Sequence, residues 1–151
     1  METAPILICY DDSDFARHAI ETAASLFPKR RAVVLDIGPF VTATESLAVL
    51  APVTPAAAFE ETNEAEARQR AQAGAERARE AGFEAEARAD LAAPTWAGIL
   101  AVADEVDAAV IVLGSRGLTG ARELFEGSVS HEVAEHAGRP VLIVPPTAER
   151  R

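Results

Sequence analysis

The sequence predicts a three-layer α/β sandwich in which helices cover both faces of a five-stranded parallel sheet. Apolar runs of six or seven residues alternate along the chain with segments whose apolar residues recur at helical spacing. Most of these runs hold at most one charged residue, as expected of strands buried on both faces. Strands that alternate with helices form parallel sheets with right-handed crossovers, and we expect the strand order 3-2-1-4-5.

The first predicted strand, Ala4–Tyr10, is a continuous apolar run that ends at a cluster of acidic residues and serine. Asp12 or Ser13 can cap the helix that follows, and Asp14 is favourable in its first turn. Pro28 ends that helix. Its buried face is predicted to hold Phe15, Ala19, Ala23, Leu26 and Phe27.

The second predicted strand is Ala32–Ile37, which is interrupted only by Asp36. The following segment, Gly38–Phe59, is rich in alanine, threonine, valine and proline and shows no clear periodicity. A connection of this length without regular structure is uncommon in compact domains. We therefore consider a short helix over Ser46–Leu50.

The next helix has both an apolar and a charged face. Asn63 with Glu66 predicts its capped start, and Gly82 fits the position just past its end. A thin face suited to close packing is formed by Ala67, Ala71, Ala75 and Ala78. Two ion pairs at i, i+4 spacing are expected on the solvated side, Glu64 with Arg68 and Glu66 with Arg70.

The second half of the chain continues the alternation. Phe83–Arg88 alternates apolar and charged residues, which predicts a half-exposed strand at a sheet edge. Pro94 suits the first position of the next helix, whose buried face is predicted to hold Trp96, Ile99, Leu100 and Ala103. The last predicted elements are a strand over Ala108–Leu113, a helix over Val129–Ala137 ended by Gly138, and a strand over Arg139–Pro145.

The composition predicts one soluble domain over residues 1–151 that works in the cytoplasm. A net charge of −10 argues against a nucleic-acid-binding surface, because such surfaces need cations to neutralise phosphates. The single cysteine, Cys9, cannot pair within the chain and lies in a strand pattern, so we expect a buried, inert thiol. The first residues lack a secretory signal, and no apolar run approaches the roughly 20 residues that span a membrane.

A glycine-rich stretch follows the fourth predicted strand. Gly114, Gly117, Gly127 and Ser128 have the spacing G-x-x-G-(nine residues)-G-S. Singly, each has a structural explanation as a strand end, a turn or a helix cap. Together, glycine amides and the helix start after Ser128 predict a phosphate-holding loop. The lysine-dependent phosphate loop and the G-x-G-x-x-G dinucleotide fingerprint are both absent from the sequence.

The segments ILICYDDS, VLGSRG and the terminal GS-(helix)-GRPVLIVP resemble the universal stress protein family, in particular its ATP-binding branch. The resemblance covers essentially the whole chain. It implies a flavodoxin-like or adenine nucleotide alpha-hydrolase-like sheet, with ATP or a related nucleotide in the crevice where the sheet reverses its winding. It also implies a homodimer that pairs along the last strand, through Val141–Val144.

Residue by residue, the resemblance implies that Asp11 binds the ribose hydroxyls and that Ile37 presents backbone groups to the adenine edge. The residues implied to hold the phosphates are Gly114, Gly117, Gly127, Ser128, Val129 and Ser130. Arg116 is explained equally well as a phosphate ligand or as a solvent-facing residue. Asp12 and Glu126 would repel phosphate, which favours Mg²⁺ or Mn²⁺ as a supplement.

The segment His131–His136 superficially resembles a zinc motif. Its histidines are five residues apart, which separates them by about 140° around a helix and argues against zinc. No set of nucleophile, base and orienting residue is visible, so the sequence assigns no catalytic residue. Three functions stay open: an ATP-binding stress-response regulator acting through dimer or partner contacts, a slow ATPase or autophosphorylating enzyme, and a dimeric interaction module with an empty crevice.

Overall fold

The computed structural model of the chain describes residues 3–27, 30–39, 56–115 and 129–147. Within these ranges five strands alternate with four helices. In chain order the elements are β1 (Ile6–Cys9), α1 (Asp14–Leu26), β2 (Arg31–Pro39), α2 (Ala56–Glu80), β3 (Glu84–Ala92), α3 (Thr95–Glu105), β4 (Val110–Gly114), α4 (Val129–His136) and β5 (Val141–Val144). The helix considered over Ser46–Leu50 lies outside the described residues.

The strands form one parallel sheet in the order β3-β2-β1-β4-β5, which confirms the predicted topology. The chain winds outward from β1 to β3 and then returns to the other side of β1. All four residues of β1 are buried, because strands flank it on both edges and helices cover both of its faces. The reversal of winding lies between β1 and β4, as expected for sheets of this order.

Side chains of alternate strand residues point to opposite faces and build two separate cores. Ile6, Ile8 and Val34 pack with α1 and α2 on one face. Leu7, Leu35 and Ile111 pack with α3 and α4 on the other. The sheet is therefore the middle layer of three.

Ser13, one of the two predicted caps, is the N-cap of α1, since its hydroxyl accepts a hydrogen bond from the Ala16 N–H at 3.1 Å. The buried stripe then runs through Ala16, Ala19, Ile20 and Ala23. Leu26 is 55% exposed, so its predicted place in the core is wrong. The stripe continues four residues after Ala23 with Phe27, which packs against the core, and Leu26 falls to the side of it.

Helix α2 is longer than predicted, because it begins at Ala56 and not at Asn63. Asn63 lies inside the helix, where its side-chain amide donates to the carbonyl of Pro39 at 3.2 Å, so its predicted capping role is wrong. The alanine face is confirmed, with Ala67, Ala71, Ala75 and Ala78 fully buried. Neither α2 nor any other helix within the described ranges combines the length and the apolarity that crossing a bilayer requires.

Pro94 and the predicted edge strand differ slightly from expectation. Pro94 is the N-cap of α3 and precedes the first helical residue, Thr95. Strand β3 begins one residue later than predicted and extends to Ala92, with its outer edge unpaired in the described sheet. Trp96 and Leu100 are half-buried against the core, while Ile99 and Ala103 are fully buried.

Gly74 sets the distance between α2 and the sheet. A Cβ atom at this position would lie 2.6 Å from Cδ1 of Tyr10 and 2.8 Å from Cγ1 of Val34. Glycine inside a helix costs about 1 kcal/mol relative to alanine, so the close approach of the helix explains its presence.

We expect Gly74→Ala to lower the free energy of unfolding by about 1–3 kcal/mol, because overpacking outweighs the gain in helix propensity. Urea denaturation measures the change. The matched control is Gln72→Ala, at an exposed position of the same helix, which should change stability by less than about 0.5 kcal/mol. A Gly74→Ala protein more stable than the parent would contradict the packing argument.

Candidate functional site

The central strand stops before its neighbours do, which leaves a slot at the carboxyl edge of the sheet. Pairing of β1 with β2 ends at Cys9 opposite Leu35, and pairing with β4 ends at Ile8 opposite Val112. Both neighbours continue past these points, β2 beside β3 and β4 beside β5. Since adjacent strands lie about 4.8 Å apart, the backbones of β2 and β4 are separated by about 10 Å across the slot.

Ile37 forms the β2 wall of this slot. The carbonyl of Leu35 accepts a hydrogen bond from the Tyr10 N–H at 2.8 Å, so the backbone groups of Leu35 face β1. Two residues on, the N–H and C=O of Ile37 face the same way, where β1 no longer runs. No backbone hydrogen bond within the described ranges occupies that side of Ile37.

The side chain of Ile37 packs on the α3 face, away from the slot. A Cβ atom at Gly98 of α3 would lie 3.2 Å from Cδ1 of Ile37 and 2.5 Å from Cβ of Ala92. A Cβ atom at Gly38 would lie 2.7 Å from Cδ2 of Leu91 and 3.3 Å from Cβ of Ala67 in α2. Two glycines therefore let helices approach this end of β2 from both faces.

Gly114 forms the opposite wall. The N–H groups of Ile111 and Ser115 donate to carbonyls on the β5 side, those of Pro140 at 3.0 Å and Val144 at 2.9 Å. By the alternation of a strand, the backbone groups of Gly114 face the other way, into the slot. Pairing with β1 has already ended at Val112, so β1 does not occupy them.

The turn after β1 forms the floor of the slot, and Asp11 is its half-buried carboxylate. Oδ1 of Asp11 accepts the N–H of Ser13 at 3.0 Å, which ties the side chain to the start of α1. Its second oxygen makes no hydrogen bond to any residue that the structure describes. A carboxylate so placed can accept hydrogen bonds from a ligand.

Cys9 lies beneath this turn and is confirmed as buried. Burial raises the pKa of its thiol to about 12, with further contributions from the negative charges of Asp11 and Asp36. A thiol with such a pKa stays protonated at neutral pH and is a poor nucleophile. Cys9 therefore contributes packing and not chemistry.

Asp12 is engaged elsewhere, despite its position beside Asp11. Its backbone has a φ of 64°, and its Oδ1 accepts the Tyr10 hydroxyl at 2.8 Å and pairs with Arg17 at 2.8 Å. The hydrogen bonds from Arg17 and Tyr10 hold the pKa of the Asp12 carboxyl below its usual range. Because Arg17 compensates its charge, Asp12 gives no reason for a divalent cation.

A second ion pair anchors the end of β2 to α2, and the sequence did not reveal it. Asp36 is 2% exposed and accepts two hydrogen bonds from Arg70, at 2.7 Å from Nε and 3.1 Å from Nη2. Burial raises the pKa of the Asp36 carboxyl, while Arg70 acts in the opposite direction. The predicted pair of Glu66 and Arg70 is present, with Oε2 of Glu66 4.0 Å from Nη1 of Arg70. Arg70 nevertheless does not belong to a purely solvated face, because its closer partner is the buried Asp36. The predicted pair of Glu64 and Arg68 is confirmed at 2.8 Å.

The structure thus brings Asp11, Ile37 and Gly114 around one slot. Val129 and Ser130 form the first described turn of α4, both half-buried. The remaining predicted ligands, Arg116, Gly117, Gly127 and Ser128, lie outside the described residues, as does Glu126. Asp36 and Arg70 were missed because their interaction joins residues 34 positions apart. The single charge within an apolar strand pattern was the signal that a partner was needed.

The helix α4 carries a cluster of possible metal ligands on its surface. Ligand atoms of Glu132, Glu135 and His136 lie within 4.8 Å of one another. The side chains form i, i+4 pairs, His131 with Glu135 at 3.5 Å and His136 with Glu132 at 3.6 Å. The His136 ring also stacks on Trp96 with centroids 4.9 Å apart. Exposed groups of this kind are common without an ion, and we assign them no metal.

A cavity of about 420 Å³ lies at the opposite, amino edge of the sheet. Its lining mixes two arginines, Arg31 and Arg79, with two glutamates, Glu84 and Glu86. It shares no residue with the slot. The slot has the stronger claim, because unpaired backbone groups and an available carboxylate converge there.

Comparison with known proteins identifies close relatives of the whole fold. The model of the universal stress protein family matches residues 3–145. The universal stress protein YxiE of Bacillus subtilis (strain 168) is 34% identical over 144 residues, which cover 92% of this chain and 97% of that protein.

Three solved structures are similar to this chain. A universal stress protein from Archaeoglobus fulgidus is 26% identical with a TM-score of 0.69, covering 95% of both chains. A universal stress protein from Archaeoglobus fulgidus in complex with dAMP is 23% identical with a TM-score of 0.65, covering 95% of this chain and 99% of that chain. A universal stress protein family protein from Arabidopsis thaliana with AMP bound is 16% identical with a TM-score of 0.63, covering 97% of this chain and 94% of that chain.

The ion pair of Asp12 and Arg17 predicts a pH-dependent contribution to stability. A carboxyl whose pKa is lowered in the folded state stabilises the fold above its unfolded pKa of about 4. That contribution disappears as the pH falls through the folded pKa. We therefore expect Arg17→Met to destabilise the protein at pH 7, with a difference from the parent that shrinks toward pH 3.

Denaturant unfolding at a series of pH values measures this difference. The control is Arg68→Met, which removes an exposed pair with Glu64 and should have little effect at either pH. A difference between Arg17→Met and the parent that stays constant from pH 7 to pH 3 would show that the carboxylate charge is not involved.

Proposed function

Because this chain belongs to the universal stress protein family, we propose that it is a stress-response protein that binds an adenine nucleotide in the slot above β1. Two features within the described residues carry the proposal: the backbone walls at Ile37 and Gly114 make no hydrogen bond across the slot, and Asp11 between them keeps one oxygen without a hydrogen bond. The complexes of similar proteins with dAMP and AMP support the choice of adenine. We further propose that the physiological nucleotide is ATP and that the protein acts in the cytoplasm.

The base is proposed to lie against Ile37. Its N–H can donate to N1 of adenine, and its C=O can accept from the N6 amino group. A residue whose donor and acceptor point the same way matches the Watson–Crick edge of adenine. Guanine presents the opposite pattern, with an acceptor at position 6 and a donor at position 1. The ribose contact to Asp11 would prevent guanine from reversing in the slot to recover the match.

The phosphates are proposed to extend toward β4 and α4. Around the β1 and β2 side, the carboxylates of Asp11, Asp12 and Asp36 outnumber the two arginines that pair there, Arg17 and Arg70. An anion is disfavoured on that side by charge repulsion. The predicted phosphate ligands follow Gly114 in sequence, and they are Gly117, Gly127, Ser128, Val129 and Ser130. Arg116 is proposed either to bind a phosphate or to face solvent.

We propose that a divalent cation binds together with the nucleotide. Mg²⁺ or Mn²⁺ bound to the phosphates would offset their negative charge. Around the slot, Asp11 is the one described carboxylate without a cationic partner, so the described residues offer no complete set of metal ligands there. The cation would therefore be held chiefly by the phosphates themselves.

We expect the purified protein to bind ATP at least about tenfold more tightly than GTP, since an unmatched base edge leaves buried polar groups unpaired. Isothermal titration with ATP, AMP and GTP, with and without Mg²⁺, measures these affinities. Asp11→Asn should weaken ATP binding by about tenfold, because an amide replaces a charged acceptor at the ribose while still accepting the Ser13 N–H.

The matched control is Asp90→Asn, which changes an exposed aspartate on β3 at the same edge of the sheet but two strands from β1. It should leave ATP affinity unchanged. Equal affinities for ATP and GTP would refute the contact with Ile37. If none of ATP, AMP and GTP binds, the proposed function as a whole is refuted.

We also propose a homodimer that pairs through β5 and changes its contacts when ATP binds. In the described sheet β5 is an edge strand, so its outer N–H and C=O groups are available for pairing. Ile143 is 37% exposed on this strand, and Val141 and Leu142 are half-buried. An edge with exposed apolar side chains is suited to a second copy of itself.

Sedimentation velocity should show the mass of a dimer for the parent protein, and Ile143→Lys should shift it to monomer because a lysine cannot be buried unpaired at the interface. The matched control is Gln72→Lys, at an exposed position of α2, a helix that packs on β2 and β3. A parent protein that is monomeric both with and without ATP would contradict the proposed interface.

A further inference from the structure

Asp36 is a buried charge where an apolar residue would suffice for packing. It is the one charged residue among the described buried side chains, and its neighbours in β2 are apolar on both sides. A buried ion pair seldom stabilises a fold more than apolar residues of the same volume, because desolvation offsets the attraction. Stability alone therefore does not account for this pair, and its position needs another explanation.

The pair is located where β2 loses one of its two neighbouring strands. Up to Leu35, β2 is held between β1 and β3, but from Asp36 to Pro39 only β3 remains beside it. The free edge of this segment is the wall of the slot. Its position then depends on β3 and on contacts with the helices above and below.

Arg70 supplies the directional contact from α2. It lies between Ala67, which approaches Gly38, and Gly74, which approaches Val34. Its two hydrogen bonds to Asp36 fix both the distance and the rotation of the strand at that point, because guanidinium and carboxylate are planar groups that bond in a fork. Asp36 directly precedes Ile37, so this contact also fixes where the N–H and C=O of Ile37 point.

The charges around Arg70 agree with this location. Its pKa is raised chiefly by the hydrogen bonds to Asp36, with added contributions from Glu66 on its own helix and from Asp11 in the floor of the slot. Arg70 therefore binds the carboxylate of Asp36 beside the wall and also interacts electrostatically with the carboxylate of Asp11 in the floor of the slot. Both lie beside the proposed nucleoside.

We propose that the ion pair of Arg70 and Asp36 is a positioning device that sets the selectivity of the slot for adenine. This inference rests on the proposed function. Neither side chain needs to touch the nucleotide. The pair holds the backbone of Ile37 in the orientation that matches the adenine edge, and loosening it weakens that match, so that ATP loses its advantage over GTP.

The test compares ATP and GTP affinities in three variants. Arg70→Lys keeps the charge but loses the fork. Arg70→Met leaves the Asp36 carboxylate unpaired and serves only if it folds. The double variant Asp36→Leu with Arg70→Met replaces the pair by apolar residues, so the fold is expected to be retained. Near-ultraviolet circular dichroism checks that each variant is folded.

For Arg70→Lys and for the double variant, we expect the ratio of ATP to GTP affinity to fall about tenfold, with GTP affinity within about twofold of the parent. A purely structural role would leave the ratio unchanged in every folded variant, and that result would overturn the inference. The control pair is Glu64→Ala with Arg68→Ala, which removes an exposed ion pair one turn away on the same helix.

The outcomes separate the two proposals. If the parent protein binds ATP selectively and the folded double variant is equally selective, the inference about Arg70 and Asp36 fails alone. If the parent protein binds neither nucleotide, the proposed function fails and the inference falls with it. If the ratio of ATP to GTP affinity falls in the folded variants because ATP affinity drops while GTP affinity is unchanged, the result supports both the proposed function and the inference.

Discussion

The early end of β1 is the constraint on which the rest of the molecule depends. A parallel sheet whose strands all ended together would leave no unpaired backbone except at its edges. Here the central strand leaves its ladder at Ile8 on one side and Cys9 on the other, while its neighbours continue. Unpaired N–H and C=O groups in the interior of a protein are costly unless something binds them. The backbone groups of the slot therefore need a polar partner, which can be a water molecule or a ligand.

The acidity of the chain shapes the surroundings of the slot. With a net charge of −10, the protein compensates the carboxylates nearest the slot individually, Asp12 through Arg17 and Asp36 through Arg70. Among these three, Asp11 alone has no cationic partner within the described residues. Because Asp12 and Asp36 are each paired with an arginine, the carboxylate of Asp11 is the one of the three that can bind a ligand. The charges on this side of the slot suit hydroxyl groups and disfavour anions.

Periodicity and the alternation of elements predicted the sheet order, the alanine face of α2 and the cap at Ser13, because each depends on residues close in sequence. The same reasoning failed at Asn63, where a local capping pattern occurs inside a longer helix, and at Leu26, where the buried stripe turns past the last helical residue. It also paired Arg70 with Glu66 of the same helix, which is present as a long contact, but it missed the closer partner Asp36 on another element. For the site, Gly114 was predicted from the spacing of the glycines, and Asp11 and Ile37 from a family resemblance. The strand registers show why these positions share one slot. The phosphate ligands between Gly117 and Ser128 stay predictions.

Because main-chain atoms form the walls of the slot, the positions that tolerate substitution are not the ones that a side-chain site would suggest. The side chain of Ile37 points into the core by α3 and takes no part in the wall, so valine or leucine at this position would present the same hydrogen-bonding groups. A survey of tolerated substitutions would then rank position 37 as an ordinary core residue. Intolerance would instead concentrate at Gly38 and Gly98, where an added methyl group would displace the strand. In such a slot the residues least able to vary would be those that position the backbone groups, while the side chain of the residue that supplies those groups could vary.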